Sequence, residues 1–283
     1  MEGKATDAEI TTLETDYSKF DPEVYLECYY SPQGSHLERE DSFVPWALKC
    51  LHKAFSEGDM EGDLLVDIGS GPTLYQVMSA CEVFNKVILT EFLEVNRNEL
   101  KLWLQNEGGS KMDWTPFLKK VCELEGRSRS DYTVKEVKLR KTVQDVLHID
   151  VLRPQPLEPN ALPQGLADCI VSCFCLDSVS RDLAEFTRAL TNIGTLLRPG
   201  GHLILIGVLG GRYYCGASGV LFAVLDLTNA QVCQSLTDSG YTLSRLEALK
   251  QEAVMEKAVF DGVFFVKARK NSSVKCEKTP KDY

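Results

Sequence analysis

The sequence predicts an α/β fold in which a mostly parallel, seven-stranded sheet is covered by helices on both faces and ends in an antiparallel strand pair. Short apolar runs rich in β-branched residues alternate with stretches of helical spacing, which is typical of parallel sheets. A glycine-rich turn at Gly69–Gly71 follows the first apolar run. Near the C-terminus, two β-rich stretches at 241–250 and 259–268 have no helix between them and must therefore pair antiparallel.

The elements follow in a regular order along the chain. Apolar character predicts five parallel strands at 63–68, 86–92, 147–151, 167–174 and 202–209. Helical spacing predicts helices between them at 72–84, 95–105 and 181–197. The connection at 106–144 is too long for a simple link and contains helical patterns around 114–125 and 133–146, so it is predicted to be an insertion. A last helix begins at Thr228, which is a suitable N-cap residue, and ends at Gly240.

We expect these elements to form one domain over residues 15–270. Within it, residues 15–60 are expected to be helices that cover the site as a lid. Residues 1–14 and the tail are polar or charged and lack periodicity, so they are predicted to be disordered. The polar character of the tail begins at Lys267, and its disordered part is assigned to 271–283.

Charge and hydropathy exclude two classes of partner. Lys and Arg total 31 against 41 Asp and Glu, which gives a net charge of −10 and a pI of about 5.0. Such a chain is unsuited to binding the phosphate backbone of nucleic acid. The longest apolar run, 203–209, is far shorter than the roughly 20 residues that a membrane helix needs, and residues 1–14 resemble no secretory signal. We therefore expect neither a nucleic-acid nor a membrane partner.

The ten cysteines have the spacing of free thiols. Cys173 and Cys175 form one Cys-x-Cys pair, there is no Cys-x-x-Cys pair, and the four histidines are scattered. Zinc sites need paired cysteines with histidines at fixed spacing. The sequence therefore predicts a metal-free protein of the cytosol, where cysteines stay reduced. We also expect it to be a monomer.

The strongest local signal is the strand, turn and helix start at 64–73, with the sequence LLVDIGSGPT. Its glycines let the backbone approach a ligand closely, but Pro72 begins the stretch where a dinucleotide fingerprint needs a third glycine. Glu91 follows Gly71 by 20 residues, the usual distance of an acid that binds a ribose diol. Asp150, at the end of the third predicted strand, could accept from an adenine amino group. Each carboxylate alone could be a solvated loop residue, but together they favour a nucleoside cofactor without phosphates, namely S-adenosylmethionine.

Three longer motifs make this pattern specific: 67–76 (DIGSGPTLYQ), 79–81 (SAC) and 122–126 (CELEG). With them, residues 15–270 resemble the small-molecule N-methyltransferase family that includes the phenylethanolamine, indolethylamine and nicotinamide enzymes. The segments 92–97 (FLEVNR), 153–157 (RPQPL) and 196–203 (LLRPGGHL) are similar to the phenylethanolamine branch. The resemblance implies the class I S-adenosylmethionine-dependent methyltransferase fold, which agrees with the predicted C-terminal strand pair.

The resemblance also implies site residues. For the cofactor these are Tyr17, Tyr25, Tyr30, Gly69, Ser70, Gly71, Thr73, Tyr75, Glu91, Phe92, Asn96, Asp150, Val151 and Cys173. For the acceptor they are Tyr29, Phe174, Asp177, Gly211 and Tyr214. The tyrosines at helical spacing could form an aromatic lid over a cationic sulfonium, or an amphipathic helix packed on the core.

Asp177 is the predicted catalytic residue. Methyl transfer is an in-line displacement by an amine lone pair, so the enzyme mainly positions the amine and keeps it neutral. Asp177 matches an acidic position of the family near the acceptor amine and could hold or deprotonate that amine. The alternative is that Asp177 only serves the N-terminus of the helix that follows it.

The acceptor is less well defined than the cofactor. The resemblance implies further acids in the phenylethanolamine enzyme where this chain has Gly210–Gly211 and Ala258, an acid in the nicotinamide enzyme at Gly207, and a family lysine at Ala47. The predicted function is methylation of small aryl-alkyl amines, phenylethanolamines foremost, with an indolethylamine-type or broad amine enzyme as the alternative. A non-catalytic paralogue that binds the cofactor and a nicotinamide-dependent oxidoreductase are the competing hypotheses.

Overall fold

The structure, a computed structural model, describes residues 17–39, 42–106, 108–162, 165–251 and 257–272. The segments predicted to be disordered are 1–14 and 271–283, of which 1–14 and 273–283 lie outside the described residues. Asn271 is ordered, contrary to the prediction, with its N–H donating to the Gly240 carbonyl at 2.9 Å. The described chain folds around two apolar cores, one on each face of a central sheet.

Ten strands are present in the described part of the chain. They are β1 Leu64–Ile68, β2 Lys86–Glu91, β3 Val143–His148, β4 Ala167–Cys173, β5 Leu197–Leu209, β6 Tyr213–Ala217, β7 Val220–Ala223, β8 Tyr241–Lys250, β9 Ala258–Val259 and β10 Gly262–Lys270. Seven of them form the main sheet in the order β3-β2-β1-β4-β5-β10-β8. The first five strands run parallel, and β10 runs antiparallel to both β5 and β8. This topology confirms the predicted fold class.

The helices cover both faces of the main sheet. They are α1 Pro22–Tyr29, α2 Pro32–Ser35, α3 Phe43–Ser56, α4 Glu94–Gln105, α5 Thr115–Leu124, α6 Tyr132–Thr142, α7 Leu176–Val179, α8 Leu183–Gly194 and α9 Asn229–Asp238. One core includes α3 and the helices of the predicted insertion, and the other includes α8 and α9. Every residue of β1 is buried because its side chains alternate between these two cores, which explains the unbroken apolar run in the sequence.

The sheet topology places a crevice where ligands bind in this class of fold. From β1 the chain adds β2 and β3 on one side, and then returns to place β4 on the other side of β1. The loops that leave the carboxyl ends of β1 and β4 therefore diverge. A crevice at such a switch point is the usual ligand site of an open α/β sheet.

The predicted helix at 72–84 is wrong. The chain forms two short 3-10 turns there, Tyr75–Val77 and Ala80–Glu82. Side chains compete with helical hydrogen bonding in this segment: Thr73 Oγ1 donates to the Ser70 carbonyl at 2.8 Å, and Gln76 Nε2 donates to the Thr73 carbonyl at 3.0 Å. The segment therefore stays compact but does not become an α-helix.

The positions of the third and last strands also differ from the prediction. β3 pairs with β2 from Val143 to His148, so it begins directly after α6 and ends before Asp150. Asp150 consequently lies in a turn instead of at a strand end, with its N–H donating to the Pro156 carbonyl at 3.0 Å. At the other end of the chain, β10 continues to Lys270 by pairing with β8, so Lys267 belongs to the sheet.

A second, three-stranded sheet of order β7-β6-β9 was not predicted. β6 and β7 form an antiparallel hairpin, and β9 pairs antiparallel with β6. The sequence carried a signal for the hairpin, since Ser218-Gly219 lies between two apolar runs and Gly219 has a positive φ of 69°. This sheet matters because it lies over the crevice of the main sheet.

Within the described ranges, no helix has both the length and the apolar character needed to cross a bilayer. The same ranges contain no group of three or more side chains placed to bind a metal ion, and their nine cysteines are free thiols.

Candidate active site

A cavity of about 500 Å³ occupies the crevice at the carboxyl ends of β1, β2 and β4. The small sheet and α1 form its opposite wall. The cavity is lined by all of the predicted site residues except Tyr75 and Gly211. It therefore brings together residues that are spread over most of the chain, from Tyr17 to Tyr214.

The glycine-rich turn forms the floor of one end of this cavity. Gly69 has a φ of 67°, and a Cβ atom at this residue would lie 2.1 Å from Cys175 Sγ. Gly71 has a φ of 58°, but a Cβ there would meet nothing within 4 Å. Gly69 is therefore required by packing and backbone conformation, whereas Gly71 leaves open space in which a ligand can approach the backbone.

We expect Gly69→Ala to lower the free energy of unfolding by about 2 kcal/mol, because the added methyl group combines left-handed backbone strain with a collision. Gly58→Ala is the matched control. Gly58 has a φ of 75° with open space around it, so this substitution should cost about 1 kcal/mol from backbone strain alone. Urea unfolding of both variants measures the difference, and equal losses would show that Cys175 moves aside without cost.

Glu91 and Asn96 form the side of the cavity next to this turn. Glu91 Oε2 accepts from the Gly71 N–H at 2.9 Å, while Oε1 accepts from the Leu93 N–H at 2.8 Å and from Asn96 Nδ2 at 3.3 Å. Burial raises the pKa of Glu91. Among the described residues, Asn96 Oδ1 is buried without a hydrogen-bond partner. Glu91 Oε2 and Asn96 Oδ1 thus remain as two neighbouring acceptors, which suits the two hydroxyls of a ribose diol.

Asp67, at the start of the turn, has a structural importance that the sequence analysis did not assign to it. Its Oδ2 atom accepts from Ser70 Oγ at 2.6 Å and from Gln76 Nε2 at 2.7 Å. Burial raises the pKa of Asp67 to about 7. Its Oδ1 atom has no hydrogen-bond partner within the described part of the chain. Asp67 does not line the cavity, so its contribution is to hold the turn in shape.

Asp150 and Phe92 lie further along the same end. The Asp150 carboxylate accepts from the Leu152 N–H at 3.1 Å and pairs with Arg153 Nε at 3.1 Å. Phe92 is 53% exposed, and its ring centroid lies 5.4 Å from that of His148. An exposed aromatic ring beside a carboxylate at a cavity mouth suits stacking and hydrogen bonding of a planar base.

The tyrosines of the N-terminal segment form the roof of the cavity. Tyr17 donates from its hydroxyl to the Ser178 carbonyl at 2.7 Å. Tyr29 donates to the Lys257 carbonyl at 2.7 Å and accepts from the Cys215 N–H at 2.9 Å. The Tyr29 bonds tie α1 to the small sheet, and the Tyr17 bond ties the segment before α1 to α7. The tyrosines therefore both line the cavity and pack on the protein, and whether they move as a lid stays a prediction.

Tyr30 and Tyr75 show why one predicted residue is absent from the cavity wall. Tyr75 is buried, and its ring stacks on that of Tyr30 with centroids 5.4 Å apart. The Tyr30 ring centroid lies 5.7 Å from that of Tyr25 and 5.9 Å from that of Trp114, and Tyr30 faces the cavity. Tyr75 thus supports a wall residue from behind.

Asp177 occupies the other end of the cavity. It lies in α7, just after Phe174, and is only 2% exposed. Its Oδ2 atom accepts from the Val208 N–H at 2.8 Å. Burial raises the pKa of Asp177 to about 6. At neutral pH the group is therefore a buried carboxylate that can accept a proton readily, as a general base requires.

Phe174 reaches this end of the cavity from an unusual backbone conformation. Its φ is 54°, and its N–H donates to the Ile206 carbonyl at 2.8 Å. A bulky residue in the left-handed region is uncommon and is found where the surrounding structure enforces it, often at functional sites. The strained turn places Phe174 and Asp177 on the same cavity wall.

Gly211 is not in the wall of the cavity. A Cβ atom at Gly211 would lie 2.8 Å from Val208 Cγ2 and 2.9 Å from Val224 Cγ1, so the residue is packed behind the lining. Ala258 does line the cavity. Phe43 and Phe260 are among the lining residues that were not predicted, because only the tertiary fold brings their segments to this site.

Comparison of the sequence with those of known proteins finds similarity to one family. The sequence profile of the NNMT/PNMT/TEMT family matches residues 8–271. The chain is 42% identical to phenylethanolamine N-methyltransferase of Bos taurus over 271 residues, covering 95% of each protein. It is 44% identical to the enzyme of that name from Homo sapiens, covering 90% of each. Nicotinamide N-methyltransferase of Homo sapiens is 40% identical, with 93% of this chain and 97% of that protein covered.

Proposed function

The chain belongs to the NNMT/PNMT/TEMT family, and from that membership we propose that it transfers a methyl group from S-adenosylmethionine to the nitrogen of a small aryl-alkyl amine. The phenylethanolamine type of acceptor is favoured, because the relatives at 42% and 44% identity carry that name. One observation supports this function most directly. A single cavity joins two hydrogen-bond acceptors at Glu91 and Asn96 to a buried carboxylate at Asp177.

The lining residues fit the cofactor at one end of the cavity. Glu91 Oε2 and Asn96 Oδ1 would accept from the ribose hydroxyls, and the open space at Gly71 would admit the cofactor close to the backbone. Asp150 and Phe92 would hold the adenine. The remaining lining of this end comes from Gly69, Ser70, Thr73, Val151 and Cys173. Its roof is formed by Tyr17, Tyr25 and Tyr30.

The cofactor supplies a methyl group on a positively charged sulfur, which an amine lone pair can attack directly. Asp177 would bind the incoming ammonium, take its proton and so leave the lone pair free. Phe174 and the tyrosines would hold the aromatic part of the acceptor and exclude water. The aromatic faces also suit a cationic sulfur, because they carry partial negative charge.

A methyl-transfer screen tests the proposal. The purified protein is incubated with methyl-labelled S-adenosylmethionine and with a phenylethanolamine, 2-phenylethylamine, tryptamine, nicotinamide or histamine. We expect label on the aryl-ethyl amines. We expect little on nicotinamide, because this chain has Gly207 where the resemblance implies an acid in the nicotinamide enzyme. Calorimetric binding of the cofactor without transfer to any amine would instead indicate a non-catalytic paralogue. A rise in melting temperature with NAD would favour the oxidoreductase hypothesis.

We also propose that the protein is a monomer of the cytosol. Its partner is a small amine, and it binds neither nucleic acid nor membranes. The net charge of −10 supports the absence of nucleic-acid binding. The nine described free cysteines agree with a reducing compartment.

A further inference from the structure

The acceptor end of the cavity has an aromatic wall built from three separate elements. Phe43 begins α3, Phe174 follows β4, and Phe260 lies between β9 and β10. The Phe43 ring lies 5.9 Å from that of Phe174 at an angle of 84°, and 6.2 Å from that of Phe260 at 90°. Edge-to-face contacts of this kind fix ring orientation. The lining also contains the apolar side chains of Val208, Val224, Ala258 and Val259, together with the predicted acceptor residues Tyr29 and Tyr214.

The charges around the cavity are strongly unequal. Four carboxylates of the described residues line it. Glu91 is held by backbone N–H groups at the cofactor end, while Asp150 pairs with Arg153. Glu185 forms ion pairs with Arg181 at 2.9 Å and Arg188 at 3.0 Å.

Asp177 is the carboxylate of the acceptor end, and like Glu91 it is held by hydrogen bonds rather than by an ion pair. Within the described part of the chain it makes no ion pair, and its carboxylate is held by backbone N–H groups. Among the described residues, Arg181 is the one cationic side chain in the lining, and it is already engaged by Glu185. Within these residues, the acceptor end therefore offers a carboxylate without an ion pair, no positive charge outside an ion pair and a surface rich in aromatic rings.

From this arrangement, and resting on the proposed N-methyltransferase activity, we propose that Phe43 and Phe260 are specificity-determining residues. They select an amine whose body beyond the nitrogen is apolar and uncharged. A site whose polar groups pair with a substrate hydroxyl rejects the analogue without it, because those groups are then left unpaired. With Ala258 in the wall and Gly211 behind it, these two positions provide no side-chain acceptor for a β-hydroxyl. The enzyme therefore accepts 2-phenylethylamine as well as its β-hydroxylated analogue, and it excludes amino acids, whose carboxylate would face Asp177.

The test compares Phe43→Val with Phe55→Val. Both residues are buried on α3, but Phe43 lines the cavity, whereas Phe55 packs on Phe84 at 6.2 Å and does not line it. Amine dissociation constants are measured by calorimetry with the protein saturated by S-adenosylhomocysteine, and kcat/KM is measured for the same amines. We expect Phe43→Val to raise the dissociation constant of 2-phenylethylamine about tenfold and to lower its kcat/KM about tenfold, because ring contacts are lost. Phe55→Val should stay within about twofold of the parent.

A second variant, Ala258→Asp, places a carboxylate in the wall. In the parent, the kcat/KM values of 2-phenylethylamine and its β-hydroxylated analogue should agree within about threefold, and Ala258→Asp should shift the ratio about tenfold toward the hydroxylated amine. Phe260→Leu should repeat the effect of Phe43→Val if the latter fails to fold.

The outcomes separate the two proposals. Two results would overturn the proposal that Phe43 and Phe260 determine specificity. One is a kcat/KM of the parent more than tenfold higher for the hydroxylated amine, and the other is an equal effect of Phe43→Val and Phe55→Val on amine binding. If Phe43→Val weakens amine binding and Phe55→Val does not, but no protein transfers a methyl group, the specificity inference would stand and the proposed activity would be overturned.

Discussion

Asp177→Asn is expected to lower kcat by about 100-fold or more while changing the dissociation constant of S-adenosylmethionine by less than about threefold. The asparagine keeps the shape of the side chain, and its oxygen can still accept from the Val208 N–H. It cannot accept a proton from the ammonium or balance its charge, and loss of a general base costs roughly 100- to 10,000-fold. Steady-state kinetics with 2-phenylethylamine and calorimetric titration of the cofactor measure the two quantities.

Asp182→Asn is the matched control for this substitution. Asp182 is the N-cap of α8, where its Oδ1 atom accepts from the Glu185 N–H at 2.7 Å, and it does not line the cavity. If Asp177 were only a helix N-terminal acid, the two variants would lose similar stability and keep similar turnover. A kcat of Asp177→Asn within about threefold of the parent would contradict the catalytic assignment.

The pH dependence of the parent should carry the signature of the same group. Burial raises the pKa of Asp177 to about 6, so the carboxylate is ionised above this pH and neutral below it. Alkyl ammonium groups titrate far higher. We therefore expect kcat/KM to fall about tenfold per pH unit below pH 6 in the parent, and this limb of the profile should be missing from Asp177→Asn.

Stability should respond in the opposite sense. The pKa of Asp177 in the folded protein, about 6, lies above its ordinary value of 3.8. The protonated form therefore favours the folded state, and the stability that this group contributes is full below pH 3.8 and is lost as the pH rises through 6. Without ligands at pH 7.5, Asp177→Asn should melt at the same temperature as the parent or higher. Lower activity together with unreduced stability is what a functional buried carboxylate predicts.

Local sequence was enough to predict the parts of the site that follow strand ends. The turn after β1, Glu91 at the end of β2 and Asp177 after β4 are each fixed by a nearby apolar run, and a parallel sheet brings such ends together. The acidic residue of the third strand illustrates the limit of this reasoning. The pairing of β2 with β3 ends at His148, so Asp150 reaches the cavity from a turn.

Contacts between distant segments account for what the sequence did not predict. Phe43 and Phe260 are separated by most of the chain, and neither belongs to a motif that marks a ligand site. The β6–β7 hairpin brings Tyr214 over the cavity, where the pairing of β6 with β9 and the hydrogen bond from the Cys215 N–H to Tyr29 hold it. Gly211 was predicted from the family resemblance, but its neighbours Val208 and Val224 place this residue behind the wall.

Glu91→Ala is expected to weaken S-adenosylmethionine binding about ten- to a hundredfold. The substitution removes the carboxylate oxygen that remains available to a ribose hydroxyl, and a hydrogen bond to a charged group is worth about 1.5–3 kcal/mol. It also leaves the Gly71 N–H without its acceptor, so the turn on which the cofactor rests loses a support. Calorimetric titration with S-adenosylmethionine and with S-adenosylhomocysteine measures the loss.

Two comparisons determine whether that loss comes from the ribose. Glu94→Ala removes an exposed carboxylate three residues away, at the start of α4, and should leave the dissociation constant within about twofold of the parent. Glu91→Asp keeps an acid that is one methylene shorter and should recover part of the affinity, because an acceptor remains near the diol. Both cofactor forms carry the same ribose, so Glu91→Ala should weaken them equally. An unchanged affinity in Glu91→Ala would show that the ribose lies elsewhere. A loss of affinity for S-adenosylmethionine alone would mean that Glu91 interacts with the positive charge of the sulfonium.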